Sequence, residues 1–469
     1  MKPLRLPTIQ ALGTALNAVA DRTGASNAEF YVKTGCSLRI EIDPWRPGAA
    51  SPSAPEDWRS HAGVIEERGW ALRAGGTQGA LFIAESGPLP APGGWRRLNR
   101  HSLRAGSLRL PTPCPGKASL PHVAGNDVPN DESEALGRDL IRDVVERTRA
   151  ELPGSRLIRA RLEDGASASV LANSAGVTGR TAVRLVTIQL EFGVERNATR
   201  GSCSLYRAAG NLTDLDAAAL AAEVADRLTL ASATSMSFLP SGEIAVAPSL
   251  ATSLLALLGP LFRGRDGWEK LQRLSAGDSL GPPDLQILDD GALEEGWIRT
   301  PVDDEGVPTR AVALIRGGEP AEPLLAWEND GWSGFSASGC RRRSGWRSPP
   351  EISHSHIYID RGPDPADSIR SGIRHGCYLL DRAPGGRSHV TFPHSHNGGE
   401  ASFEIDATGF VVEHDRILGA IPRARLRGSI RQLFRGIRAV GDDLRFLPVP
   451  GAVGSPTLLL TGLQLEPVV

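Results

Sequence analysis

Two histidine pairs carry the most evident chemistry in the chain. The stretch "ISHSHIYID" places His354 and His356 two residues apart in a strand-like run, and "FPHSHNGGE" does the same with His394 and His396. Side chains alternate along a strand, so an H-x-H pair leaves one face with both imidazoles able to converge. Two such pairs could assemble a three- or four-nitrogen site for zinc or another divalent ion, with Asp360 and Glu400 close in sequence as further ligands or bases. The competing reading is plainer: strand-end imidazoles bonded to backbone.

Two charged runs come next. "PVDDEGVPT" sets Asp303, Asp304 and Glu305 before Gly306. Adjacent carboxylates can bind a cation or raise one another's pKa, but such a cluster more often forms a turn and accepts from backbone amides, and the structural role is the one expected here. "GCRRRSGWRSPP" sets Arg341, Arg342, Arg343 and Arg347 around Trp346. One basic run in a chain of net charge −2 does not make a nucleic-acid surface. A solvated loop, or a loop that binds carboxylates of a peptide or partner, is the expectation. The glycines of "RAGGTQGA" lack the spacing of a dinucleotide fingerprint, and no P-loop, C-x-x-C, H-E-x-x-H or H-E-x-x-x-H occurs in the sequence.

The elements that must position these residues follow from periodicity. A helix is expected over 8–24, with Leu12, Leu16 and Val19 on one face, and a second over 132–152, with Leu136, Leu140, Ile141, Val144, Val145 and Thr148 as its stripe. "AEFYVKTGCSLRIEIDP" alternates like two strands around Thr34-Gly35, and "GWALRAGGTQGALFIAE" reads as a hairpin. The tract 87–131 is rich in proline and reads as a long surface excursion. Strands follow near 155–164, 167–173, 179–193 and 200–208, then a helix from Asn211 to Leu228 with "NLTD" as its cap. Small and polar residues at 229–241 mark a boundary. Beyond it come short strands and turns, with helices near 250–262, 363–374 and 425–438. The fold class is therefore α+β: a mixed N-terminal domain over 1–230 and a β-rich C-terminal domain over 231–469. The 469 residues are 40% hydrophobic and 23% charged, ordinary for a globular chain. Five scattered cysteines argue against a disulfide framework, and with no apolar leader or membrane span they point to the cytoplasm.

The order of short motifs resembles the TldD/PmbA family, whose PmbA branch is also called TldE. "ERGWALRAGGTQGALFIAE" is similar to its glycine-punctuated hairpin, and "VLANSAGVTGR" resembles it more loosely. "SGEIAVAPSLATSLLALLGPLF" is like the family's strand, proline and helix. "PPDLQILDDGALEEGWIRTPVDDEGVPTRAVALIRGGEP" resembles its segment with a D-[DE]-E-G turn. "RHGCYLL", "EIDATGFVVEHDRILGAIPRARLRGSIRQLFRGIRAVGDD" and "GSPTLLLTGLQLE" resemble its closing region. The resemblance implies a heterodimeric zinc metallopeptidase. In it a TldD-like subunit carries H-E-x-x-x-H and the zinc, and a TldE-like subunit of the same fold lacks the ligands and completes a chamber for peptides or amide-linked biosynthetic intermediates.

In this chain the matching helix, Ser249 to Phe262, offers Ser253, Leu254, Leu255, Ala256, Leu257 and Leu258, with no ligand set for a metal. The resemblance thus implies no catalytic residue and no metal here, zinc in the partner, a peptide substrate, and neither nucleic acid nor membrane as a partner. Two alternatives stand beside it. One is a self-contained metal-dependent hydrolase built on His354, His356, His394 and His396. The other is a non-enzymatic scaffold. The departure from the family pattern is "SHSHIYI", where the family strand carries an asparagine.

Overall fold

The computed structural model describes residues 5–43, 59–77, 79–99, 103–112, 129–196, 199–236, 242–276, 279–294, 296–297, 299–392, 400–448 and 452–468. Three helices and six strands come before residue 232: α1 (Ile9–Thr23), β1 (Asn27–Asp43), β2 (Arg59–Gly76), β3 (Gly79–Ser86), α2 (Asp131–Glu151), β4 (Ser155–Asn173), β5 (Thr178–Arg196), β6 (Thr199–Ala209) and α3 (Ala217–Ala231). The strands form one antiparallel sheet in the order β3-β2-β1-β4-β5-β6. Alternation assigns the faces. Phe30 and Val32 pack under α1, and Leu38, Ile40 and Ile42 under α2 and α3. Tyr31, Ala71 and Leu171 lie on the opposite face, in a separate cluster with Val177 and Trp346.

The amphipathic stripe of α2 is as its periodicity implies, apart from Leu136, which is exposed. Three local expectations change. β1 is one strand, not two around Thr34-Gly35: Gly35 pairs with Glu67 on one side and Ser167 on the other, so both neighbours hold it in the ladder. β4 likewise runs unbroken through Gly165. Asn211 caps a 3₁₀ turn, and the helix beyond it starts six residues later, capped by Asp216.

The tract 87–131 also contributes more than a surface excursion. A 3₁₀ turn at Pro92–Arg97 drives Trp95 inward, with ring centroids 5.1 Å from Phe30 and 5.2 Å from Trp70.

The second half contains β7 (Glu243–Val246), α4 (Pro248–Leu258), α5 (Gly264–Ser275), β8 (Ile287–Asp289), β9 (Val312–Arg316), β10 (Glu319–Pro320), β11 (Arg341–Arg342), β12 (Glu351–Ile352) and β13 (His356–Ile359). It continues with α6 (Ala366–Ser371), β14 (His375–Arg382), β15 (Ser388–Thr391), β16 (Ser402–Glu413), β17 (Arg416–Ser429), α7 (Ile430–Gly436), β18 (Ile437–Val440), β19 (Arg445–Leu447), β20 (Ala452–Ser455), β21 (Leu458–Leu460) and β22 (Gln464–Pro467). One sheet runs β10-β9-β8-β13-β20-β19. A second runs β18-β21-β7-β14-β16-β17-β22, with β15 also on β16, and β11 and β12 pair as a separate two-stranded ribbon. The architecture is α+β and rich in sheet.

α4 packs against β14 of one sheet and against β19 and β20 of the other. Pro248 occupies its first turn, where the missing N–H is no loss, and Leu250, Ala251, Leu254, Leu255 and Leu258 are buried. α5 goes beyond the helices expected. It opens at Gly264 with φ +62° and no side-chain cap, so its start carries no signature in the sequence. No helix among the described residues is long and apolar enough to cross a membrane, and no disulfide joins the described cysteines.

Replacing Trp95 with alanine is expected to cost about 3–5 kcal/mol in urea unfolding, the range for emptying a packed aromatic site. A change within about 0.5 kcal/mol, usual for a surface loop, would return the tract to the reading of an excursion.

Candidate functional site

α4 is the helix on which the resemblance places the metal in a catalytic subunit. Its open face carries Ser249, Ser253, Ala256 and Leu257, all half-buried, with Pro260 exposed just beyond its end. Ser253 donates its hydroxyl hydrogen bond to the carbonyl of Ser249 at 3.1 Å, and Leu254, Leu255 and Leu258 lie in the core between the sheets. A divalent zinc site needs nitrogen, thiolate or carboxylate donors, and the residues present do not fit one. The described residues contain no group of three or more His, Cys, Asp or Glu placed to hold an ion.

The histidine pairs are not seen as a foursome. His394 and His396 lie outside the described residues. His354 and His356 are both buried, but their neighbours differ. The His354 ring lies beside Gly259 at the end of α4. The His356 ring lies against Gly296 and meets Phe446 edge-on, with centroids 5.9 Å apart. Burial pushes His356 down to about 4, so it is neutral at neutral pH. Asp360 accepts from the Arg361 amide, and Glu400 faces Arg431 at 3.7 Å.

The acidic turn holds its structural role. Asp303 accepts from the amides of Glu305, Val307 and Arg341 at 2.9, 2.9 and 3.0 Å. Burial pushes Asp303 up to about 7 against the pull of Arg342 and those amides. Asp304 accepts from the Arg343 amide at 2.7 Å. Gly306 has φ +82°, and a Cβ there would lie 2.4 Å from a Val177 methyl, so only glycine lets the turn seat on the first sheet.

Arg341 and Arg343 meet carboxylates of this same chain, Arg342 donates to backbone carbonyls and the Ser355 hydroxyl, and Arg347 is exposed. Arg343, 1% exposed at its side chain, reaches Glu29 of β1 at 2.7 Å and lies over the Tyr31 ring at 4.7 Å. Glu29 also receives Arg73 at 2.6 Å, and Arg73 reaches on to Glu305 at 2.7 Å. Glu305 accepts from the Trp327 indole at 3.1 Å, and Arg341 closes the set on Glu328 at 3.0 Å. Trp346 lies flat on Gly69 of β2, where any Cβ would sit 2.2 Å from the indole, and Arg347 stacks over the outer side of the ring at 3.8 Å. Glu29 and Arg73 escape notice in the sequence because each is a single charge in an alternating strand. Their only signal is that they fall on the face that the strand otherwise gives to Tyr31 and Ala71.

Comparison with known proteins fits this geometry. Residues 241–466 match the family described as PmbA/TldA metallopeptidase C-terminal domain. The chain is 29% identical over 173 residues to metalloprotease slr0863 of Synechocystis, a match covering 37% of this chain and 35% of that protein. It is 26% identical over 193 residues to the metalloprotease TldD homolog of Haemophilus influenzae, covering 39% and 38%. The match thus spans little more than a third of either curated relative. The fold superposes on TldE from Thermococcus kodakarensis with a TM-score of 0.77 at 15% identity, over 97% of this chain and 100% of that one.

Two measurements check the site's electrostatics. Arg343→Met leaves Glu29 short of a buried counter-charge and is expected to cost about 3 kcal/mol in chemical denaturation, with the Arg343→Met, Glu29→Gln double variant losing less than the sum of the single ones. His356 binds its proton near pH 6.5 when unfolded and only near pH 4 when folded, so the unfolded state takes up more protons between them and stability falls as pH drops through that window. Wild type is expected to lose about 2–3 kcal/mol between pH 7 and 4.5 that His356→Gln does not lose. Equal slopes would place the imidazole in solvent.

Proposed function

Because residues 241–466 match the PmbA/TldA metallopeptidase C-terminal domain, we propose that the chain acts as the metal-free, TldE-like subunit of a two-chain zinc metallopeptidase. The observation that carries this reading is the open face of α4, where hydroxyls and aliphatic groups stand on a helix still packed between two sheets. The likeness of the whole fold to TldE supports it further. A TldD-like partner with H-E-x-x-x-H holds the zinc and supplies the hydrolytic chemistry. This chain stabilises that partner, completes the chamber and holds extended substrate. The substrates are peptides or amide-linked biosynthetic intermediates.

The test is reconstitution. The chain alone is expected to carry no stoichiometric zinc by elemental analysis and to leave a casein-derived peptide mixture intact. Co-expressed with an H-E-x-x-x-H homologue from the same genome, it is expected to co-purify as a complex with about one zinc that cleaves the mixture. One tightly held ion on the isolated chain, or a partner that is fully active without it, would sink the reading.

A further inference from the structure

β3 covers only part of the outer edge of β2, pairing with it from Gly69 to Gly76. The last bond of that ladder runs from the Gly87 amide to the Arg68 carbonyl at 2.9 Å. Gly87, with φ +102°, turns the chain away, and Pro88, Pro90 and Pro92 have no N–H with which to extend the pairing. From Arg68 back to Arg59 no strand among the described residues pairs with that side of β2, while β1 holds the other side without a bulge. Every residue from His61 to Arg68 is exposed, including Val64 at 48% and Ile65 at 41%. The far edge of the same sheet is closed by comparison. A Cβ at Gly201 of β6 would lie 2.8 Å from the backbone of Ala231 and Ser232 at the end of α3.

The ladder fixes which groups point outward. Along an antiparallel strand, alternate residues turn N–H and C=O to the same side. Arg68 bonds outward to Gly87, so Glu66, Val64, Ala62 and Ser60 also turn their amides and carbonyls to the bare edge. Such an edge is a template for another strand. Native edges are commonly blunted by lysine, proline or a bulge, and the stretch from His61 to Ile65 has none of these.

The residues suit a copy of themselves. A two-fold contact at a sheet edge joins the strand to itself, antiparallel, with outward residues opposite outward ones. Centred on Val64, this pairing uses the whole of Ser60–Arg68. It sets Val64 on Val64, Gly63 across from Ile65, His61 across from Glu67 and Ser60 across from Arg68, and it opposes no like charges. Centred on Gly63 it would set His61 against Ile65, and centred on Ile65 it would set Val64 against Glu66. Centred on Glu66 it would press two carboxylates together.

We infer that two copies of this chain pair through the Ser60–Arg68 edge of β2, antiparallel and centred on Val64, so that their first sheets run on as one. The contact does not depend on the subunit role proposed above, and it lies on a different sheet from those that hold α4.

The test uses the full chain without any partner. Sedimentation equilibrium is expected to give a monomer–dimer equilibrium with a Kd on the order of micromolar. Val64→Lys sets two like charges at the centre and is expected to weaken the dimer at least about tenfold, with an unchanged urea midpoint because the side chain is exposed. Val64→Cys brings two thiols to opposed positions, about 5.5 Å apart at Cα and within disulfide reach. Ile65→Cys leaves its thiols diagonal, at about 7–8 Å. Diamide is expected to cross-link the first and not the second, with wild type as the control for the natural cysteines.

A chain that stays monomeric, a dimer that Val64→Lys leaves unchanged, or cross-linking of Ile65→Cys as fast as Val64→Cys would overturn the contact. A monomer that still co-purifies with the zinc-bearing homologue removes this contact and leaves the subunit role standing. A dimer with the Val64 register and no such homologue does the reverse.

Discussion

A buried run of alternating charge joins the two halves of the molecule. Glu29 and Arg73 come from the first sheet, Glu305 and Arg343 from loops of the second half, and each carboxylate meets more than one guanidinium. Such a set is costly to form, since every member leaves water, and it is stable only when all partners arrive together. That requirement fixes the register of the halves. The D-D-E-G turn must seat against Leu171 and Val177, and Trp346 must lie on Gly69, or a charge is left stranded. The same residues that read as a possible cation site and a possible basic surface are therefore each other's solution.

α4 is held separately, by packing. A helix keeps one face in a fixed place only if the rest of it is held firmly. Here seven of its eleven residues are buried, and β14 and β20 grip it from both sides. Packing alone accounts for a helix that persists without metal donors. Changing side chains on the half-buried face sacrifices little core contact, whereas losing the helix would open the seam between two sheets. The chemistry of the open face is thus free to change while the frame is not.

How much of this was legible in the residues depends on range. The stripe of α2 and the strand–proline–helix run at 243–258 read directly, because periodicity and capping are local. The hairpin between β2 and β3 read directly for the same reason. The break expected at Thr34-Gly35 did not appear, because strands on both sides supply the ladder that a lone glycine would otherwise interrupt. The inward turn of Trp95 was hidden in a tract whose composition resembles a loop; its place is set by Phe30 and Trp70, far away in sequence. Among the histidines, spacing showed that His354 and His356 could share a face, but their separate neighbours, Gly259 and Phe446, come from different elements.

By itself the sequence determined the fold class, the family likeness and the lack of a metal-ligand set on α4, since each depends on residue type and local order. Tertiary structure alone decided where the charges go. Whether Arg343 faces solvent, a ligand or Glu29 depends on which distant carboxylate lies within a few ångströms. Electrostatic partnership is a property of distance in space, and separation along the chain carries almost none of it.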